Sequence, residues 1–189
     1  RLDGHAGQFA FHFDALHREA GDYSIPGFAE SAAHLAEEGE TPDPADAGTL
    51  GNSAVRTDSA ALGVSWIGDR GFLGASHSLY NTAYGIPGGH AHAHEDHDHE
   101  DGDHGDEAED AHAEEADVHI LMDQRRSELR GGIDDLGRFE SLRIRFADTE
   151  YTHTEFEGQV VGTVFHNRGR EARAELVHAP VAGWKGAFG

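Results

Sequence analysis

Several stretches of this chain alternate apolar and polar side chains with a period of two, over more residues than a globular strand normally uses. In residues 7–19, Phe9, Phe11 and Phe13 share one face while Gln8, His12 and Asp14 share the other. In 59–69, Leu62, Val64 and Trp66 oppose Ala61, Gly63 and Ser65, and Gly68-Asp69-Arg70-Gly71 then signals a tight turn into a return strand over 72–85. That return strand ends in Tyr80 and Tyr84, aromatics suited to a boundary between water and an apolar phase. Residues 117–130 set Val118, Ile120 and Met122 against His119, Leu121 and Asp123. Residues 138–158 set Leu142, Ile144 and Phe146 against Arg143 and Arg145, with a polar distal half. A last pair of strands is expected over 159–169 and 170–189.

The connections fall into two kinds. Short turns are expected near 68–71, 131–137 and 180–183, and long loops at 20–56, 86–116 and roughly 150–170. Within the first loop, 31–40 has the composition of a short helix, and Thr41-Pro42-Asp43-Pro44 bars regular structure. Globular strands average about five or six residues, so runs of twelve or more favour a transmembrane β-barrel with brief turns on one side and long loops on the other. A soluble antiparallel sandwich or meander is the alternative. The expected fold is all-β: an antiparallel, long-stranded sheet spanning residues 1–189 that forms part of a barrel wall. Tight pairs of acids and arginines belong inside such a wall, where Arg125, Arg126, Arg143 and Arg145 would meet lumenal carboxylates.

Residues 86–117 break the pattern. Between positions 90 and 119 there are 8 His and 13 Asp or Glu, with no Lys or Arg. Neutral imidazole binds zinc, copper and nickel, and carboxylates add oxygen ligands. So polar and like-charged a segment buries too little apolar surface to order itself without metal. The candidate ligands are His90, His92, His94, His97, Asp98, His99, His104, His112 and His119. Many overlapping ligand sets suit capture and handover of a divalent ion better than permanent holding. His12 and Asp14, on the polar face of the first strand, and His119, assigned to the same lumenal side, are further candidates, as are His153 and Glu155 on a strand extension. His34, Glu37 and Glu38 would share a face of the short helix.

Composition narrows the classes. The net charge is −22, which disfavours nucleic acid and favours cations as partners. There is no Cys, hence no disulfide, thiolate zinc site or thiol chemistry. No run of about 18 apolar residues provides a membrane helix. Arg1-Leu2-Asp3-Gly4 is neither an initiator sequence nor the start of a signal peptide, so the chain reads as a processed product or excised portion. An enzyme is not expected: His94-Glu95-Asp96-His97 places its second His one residue too early for the zinc-hydrolase helix motif, and no phosphate loop or nucleophile elbow occurs.

Certain segments resemble the TonB-dependent outer-membrane receptors of the zinc-uptake branch. They are Tyr23-Ser24-Ile25-Pro26-Gly27-Phe28-Ala29-Glu30-Ser31, the hairpin over 61–87, Tyr84-Gly85-Ile86-Pro87-Gly88 running into the His repeats, Asp123-Gln124-Arg125-Arg126, and Tyr151-Thr152-His153-Thr154-Glu155-Phe156-Glu157-Gly158. The resemblance implies zinc as the captured ion, with copper or nickel open on ligand chemistry alone. It also implies the outer membrane of a Gram-negative cell, contact with outer-membrane lipid, and TonB-driven import through a plugged, 22-stranded barrel. The chain would supply a middle portion of that wall, without plug, TonB-contacting box or closing strand. A soluble periplasmic metal-binding or metal-buffering protein with a His-rich loop is the runner-up.

Overall fold

A computed structural model describes residues 1–38, 41, 44, 47–90 and 117–189, with the backbone alone at residues 38, 89 and 90. Strands β1 (Leu2–Ala6), β2 (Phe9–Ala20), β5 (Val55–Gly68), β6 (Gly71–His90), β7 (Asp117–Asp134), β8 (Phe139–Glu157), β9 (Val160–His178) and β10 (Ala187–Phe188) form one antiparallel sheet in that order. A two-stranded sheet, β3 (Tyr23–Ser24) with β4 (Thr49–Leu50), and helix α1 (Ala32–Glu38) lie in the connection from β2 to β5. The Ser31 hydroxyl caps α1 by accepting from the His34 amide. The expected all-β, long-stranded antiparallel sheet is therefore present, and the sheet is open, with β1 and β10 at its edges.

The connections at the two ends differ in length. At the lower end β1 joins β2, β5 joins β6 and β7 joins β8 through Gly7-Gln8, Asp69-Arg70 and residues 135–138. At the upper end, residues 21–54 join β2 to β5 and residues 91–116 join β6 to β7. One expectation fails there. No long loop occupies 150–170, and no break divides 159–169 from 170–189: β8 and β9 are 19 residues each, joined by Gly158-Gln159. The Thr149–Glu155 region has no apolar alternation to read, yet the backbone ladders to β7 and β9 carry it as strand.

This sheet is a single layer. Among the described residues only Leu35, Val118, Ile120 and Ala147 are buried hydrophobics, and many large apolar side chains are exposed. Direct cross-strand partners share a face, so the register sorts every side chain to one side or the other. One face, called A here, carries from the bottom upward the rows Phe9–Trp66–Leu73–Gly131–Ile144–Ala174 and Phe11–Val64–Ala75–Leu129–Phe146–Ala172. Next comes Phe13–Leu62–His77–Ser127–Asp148–Arg170, then Ala15–Ala60–Leu79–Arg125–Glu150–Arg168, then the wholly polar His17–Asp58–Asn81–Asp123–Thr152–His166. Face B does the reverse. Its lower half bears His12, Asp14, Ser65, Ser76, Glu128, Arg130 and Arg145, while its upper half bears Val55, Tyr84, Val118, Ile120, Met122, Tyr151 and Phe165. The apolar character thus shifts toward face B half-way up the sheet, although the topmost rows of face A are mixed, with Leu121 and Val164 beside Glu19, Arg56 and Thr154.

Candidate functional site

The His/acid segment begins and ends on neighbouring strands. His90 pairs with Asp117 after an irregularity that separates it from the regular Gly85–His119 register. That irregularity takes the Ile86 and Val118 carbonyls out of the β6–β7 ladder. Asn52 supplies the missing donor, its Nδ2 donating to Ile86 O at 3.1 Å and Val118 O at 2.8 Å. Asn52 itself has φ of 53°, a left-handed conformation that Asn tolerates better than most residues. The Gly85 amide donates to Ala54 O at 3.3 Å, and on the other flank the Gly158 amide donates to Asp117 O at 2.9 Å. A Cβ on Gly85 would lie 1.9 Å from Asn52 Oδ1 and 2.3 Å from Asn52 O. The base of the segment is thus held by β6, β7, the β8–β9 turn and the long connection at once.

His92, His94, His97, Asp98, His99, His104 and His112 lie outside the described residues, and His90 is placed by its backbone only. His119 does not share a face with His12. The register puts it on face A, between Gly85 and Phe156, where its ring stacks on Phe156 at 4.7 Å and 6°. Alternation within β7 separates His119 from Val118, Ile120 and Met122, but only the register across β5 and β6 says which of those two sides His12 shares, and it is that of Val118, Ile120 and Met122. Tyr80 and Tyr84 are likewise on face B, opposite Trp66. Arg125 is on face A, apart from Arg126, Arg143 and Arg145.

His12 and Asp14 do share face B, and the unforeseen Asp3 joins them. His12 Nδ1 lies 2.5 Å from Asp3 Oδ1 and its Nε2 lies 2.8 Å from Asp14 Oδ2. With both ring nitrogens engaged by carboxylates, this histidine has no lone pair aimed at a metal as arranged. His153 is different. Tyr151 OH contacts its Nδ1 at 3.0 Å, Phe165 packs edge-on at 5.7 Å, and Nε2 has no hydrogen-bond partner among the described residues. Such a partner on one nitrogen orients the other as a ligand. Glu155 lies two residues further along the same face of β8. The row of His12 crosses β8 at Ala147, six residues or roughly 20 Å below His153, so these candidates do not converge. Among the described residues no three His, Asp or Glu side chains form a metal-sized group. His34 and Glu37 lie on α1, as the spacing suggested.

Arginine pairing on face B is as expected for Arg126, Arg143 and Arg145. Glu128, almost wholly buried at its side chain, is gripped by Arg130 and by Arg145 at 2.6 Å, with Arg126 at 3.4 Å. Arg143 pairs with Asp134 at 2.6 Å. Because those guanidiniums stay half exposed, Glu128→Ala is expected to cost about 1–2 kcal/mol, less than a fully buried pair, read as a lowered urea midpoint. On face A, above the last apolar rows, a His17 hydrogen bond holds the Asp58 carboxyl below the usual carboxylate range, with Arg56 assisting. Arg168, then Arg170, does the same for Asp148.

No family model matches the chain.

Proposed function

We propose that this chain forms part of the wall of an outer-membrane β-barrel receptor for zinc uptake, with residues 90–119 as the external capture segment. The observation that carries the reading is the change of apolar side half-way up one sheet. In the lower half the exposed face A is apolar and face B is charged, the arrangement of a wall between lipid and a wet lumen. Above the apolar rows face A carries the polar row His17–Asp58–Asn81–Asp123–Thr152–His166 and then the mixed row Glu19–Arg56–Ala83–Leu121–Thr154–Val164, as a wall would on leaving the bilayer. The upper limit of the apolar rows falls from Ala15 on β2 to Ala172 on β9, which is four residues over five strand steps. With about 3.3 Å per residue and 4.8 Å between strands this is a slope of roughly 30°, near the 35–45° tilt of membrane barrels. Trp66 at the lower rim of face A donates its indole N–H to Gln8 Oε1 at 3.0 Å, an apolar ring with a wet end.

The metal-binding segment springs from the upper end, opposite the turns at Gly7-Gln8, Asp69-Arg70 and residues 135–138. Zinc captured there would be handed inward, and import driven by the TonB complex through a plug belongs to the whole receptor. His must be neutral to bind, so zinc retention is expected to fall as pH drops through about 6.5. Equilibrium dialysis with zinc across that range checks this, and equal uptake at acidic and neutral pH would refute it. The reading as a whole is tested by fractionating source cells with an antibody against residues 90–119. A heat-modifiable band in the outer-membrane fraction supports it. A soluble periplasmic band overturns it in favour of a metal buffer.

A further inference from the structure

Face A carries a trough in the middle of its apolar rows. Phe11, Leu62 and Val64 flank one side, Leu129 and Phe146 the other, and small Ala75 forms the floor. Its volume is about 670 Å³, within the roughly 300–1,000 Å³ typical of ligand cavities. At the upper end the lining becomes polar, where His77 Nδ1 and Ser127 Oγ lie 2.9 Å apart. Two residues from Ser127 along β7, on the same face, stands the exposed Arg125. Its cross-strand neighbours are Leu79, which has no charge, and Glu150, whose carboxylate is engaged with Arg168 at 3.3 Å. Arg125 makes no hydrogen bond or ion pair among the described residues. A guanidinium with no ion-pair partner among the described residues, standing directly above an apolar trough with a polar lip, matches an amphiphile with an anionic head.

We propose that this trough is a binding site for one bilayer lipid with a phosphate headgroup, its acyl chain lying along Ala75 and its phosphate on Arg125. The proposal rests on the reading that face A meets lipid. A guanidinium gives phosphate two parallel charge-assisted hydrogen bonds, which a zwitterionic lipid satisfies less well because its own cation competes. In the Nε2–H tautomer of His77, Nδ1 accepts from the Ser127 hydroxyl and Nε2–H is left to donate to the headgroup as a second contact. Aromatic and branched side chains on both flanks fit a chain laid lengthwise, and Ala75 leaves the depth for it.

The test uses the full chain in non-ionic detergent micelles, titrated with dioleoyl-phosphatidylglycerol or dioleoyl-phosphatidylcholine and read by native mass spectrometry. The chain is expected to retain one phosphatidylglycerol at a concentration about tenfold lower than phosphatidylcholine. Arg125→Gln should erase that preference, Arg125→Lys should restore part of it, and Ala75→Leu should weaken retention of both lipids. Equal preference in Arg125→Gln and the unaltered chain, no preference at all, or a second copy of the chain in place of lipid overturns the site. Flotation with phosphatidylglycerol vesicles separates the two failures. A chain that floats but shows no Arg125-dependent preference overturns the trough alone, while one that does not float overturns the lipid-facing reading and the trough with it.

Discussion

Replacing residues 91–116 with a two-residue Asn-Gly turn is expected to abolish zinc retention while leaving the sheet in place. The excision removes six of the 8 histidines between positions 90 and 119 and twelve of the 13 acids. Those histidines could serve about two or three ions at two or three imidazoles each. The remaining pair, His90 and His119, does not share a register position, and His119 is stacked on Phe156. The sheet should survive because its hairpins are closed independently of the segment: Gly85–Tyr84 pairs with His119–Ile120, and β7 keeps its full ladder with β8. Isothermal titration with zinc, beside far-ultraviolet circular dichroism, gives the two readouts. Undiminished zinc binding in the shortened chain would overturn residues 91–116 as the capture segment.

Gly85→Val is expected to be the most damaging single substitution at the base of that segment. Any Cβ there falls inside the space of the Asn52 side chain and its carbonyl, and backbone cannot yield as a flexible tip can. Asn52 must then leave, and the Ile86 and Val118 carbonyls lose their donor. Each buried polar group left unpaired costs about 1–3 kcal/mol, so a loss of roughly 3 kcal/mol follows. Asn52→Ala removes the same two bonds without the clash and should cost about 2 kcal/mol. Hydrogen exchange of the Gly85 and His119 amides reports the opening locally. A Gly85→Val chain with wild-type protection at those amides would show that the clamp does not hold the segment's base.

Much of the architecture was legible because period-two alternation needs only local sequence. Phe9, Phe11 and Phe13, and Leu62, Val64 and Trp66, were paired correctly to one face, and the turn at Asp69-Arg70 was marked by its flanking glycines. The full length of β8 and β9 is not legible locally, because Thr149, Thr152 and Thr154 offer no apolar signal and Gly169 stays in the ladder only through its pairing with Thr149. The Asn52 clamp was illegible for a different reason. Nothing in Gly51-Asn52-Ser53 states that a residue more than thirty positions away in β6 will present a carbonyl to it. That His119 and His12 lie on opposite faces is likewise invisible locally, because alternation within β7 does not state its register to β2 three strands away.

The amino-acid sequence by itself determined the strand-forming segments, their tight lower turns and the crowding of imidazoles and carboxylates into residues 90–119, since all three depend on spacing and side-chain type. Only the tertiary structure decided which face each strand turns to its neighbours, where the apolar side changes over, and how the base of the His/acid segment is pinned. Those depend on register across strands, and in a sheet a shift of one residue reverses every face at once.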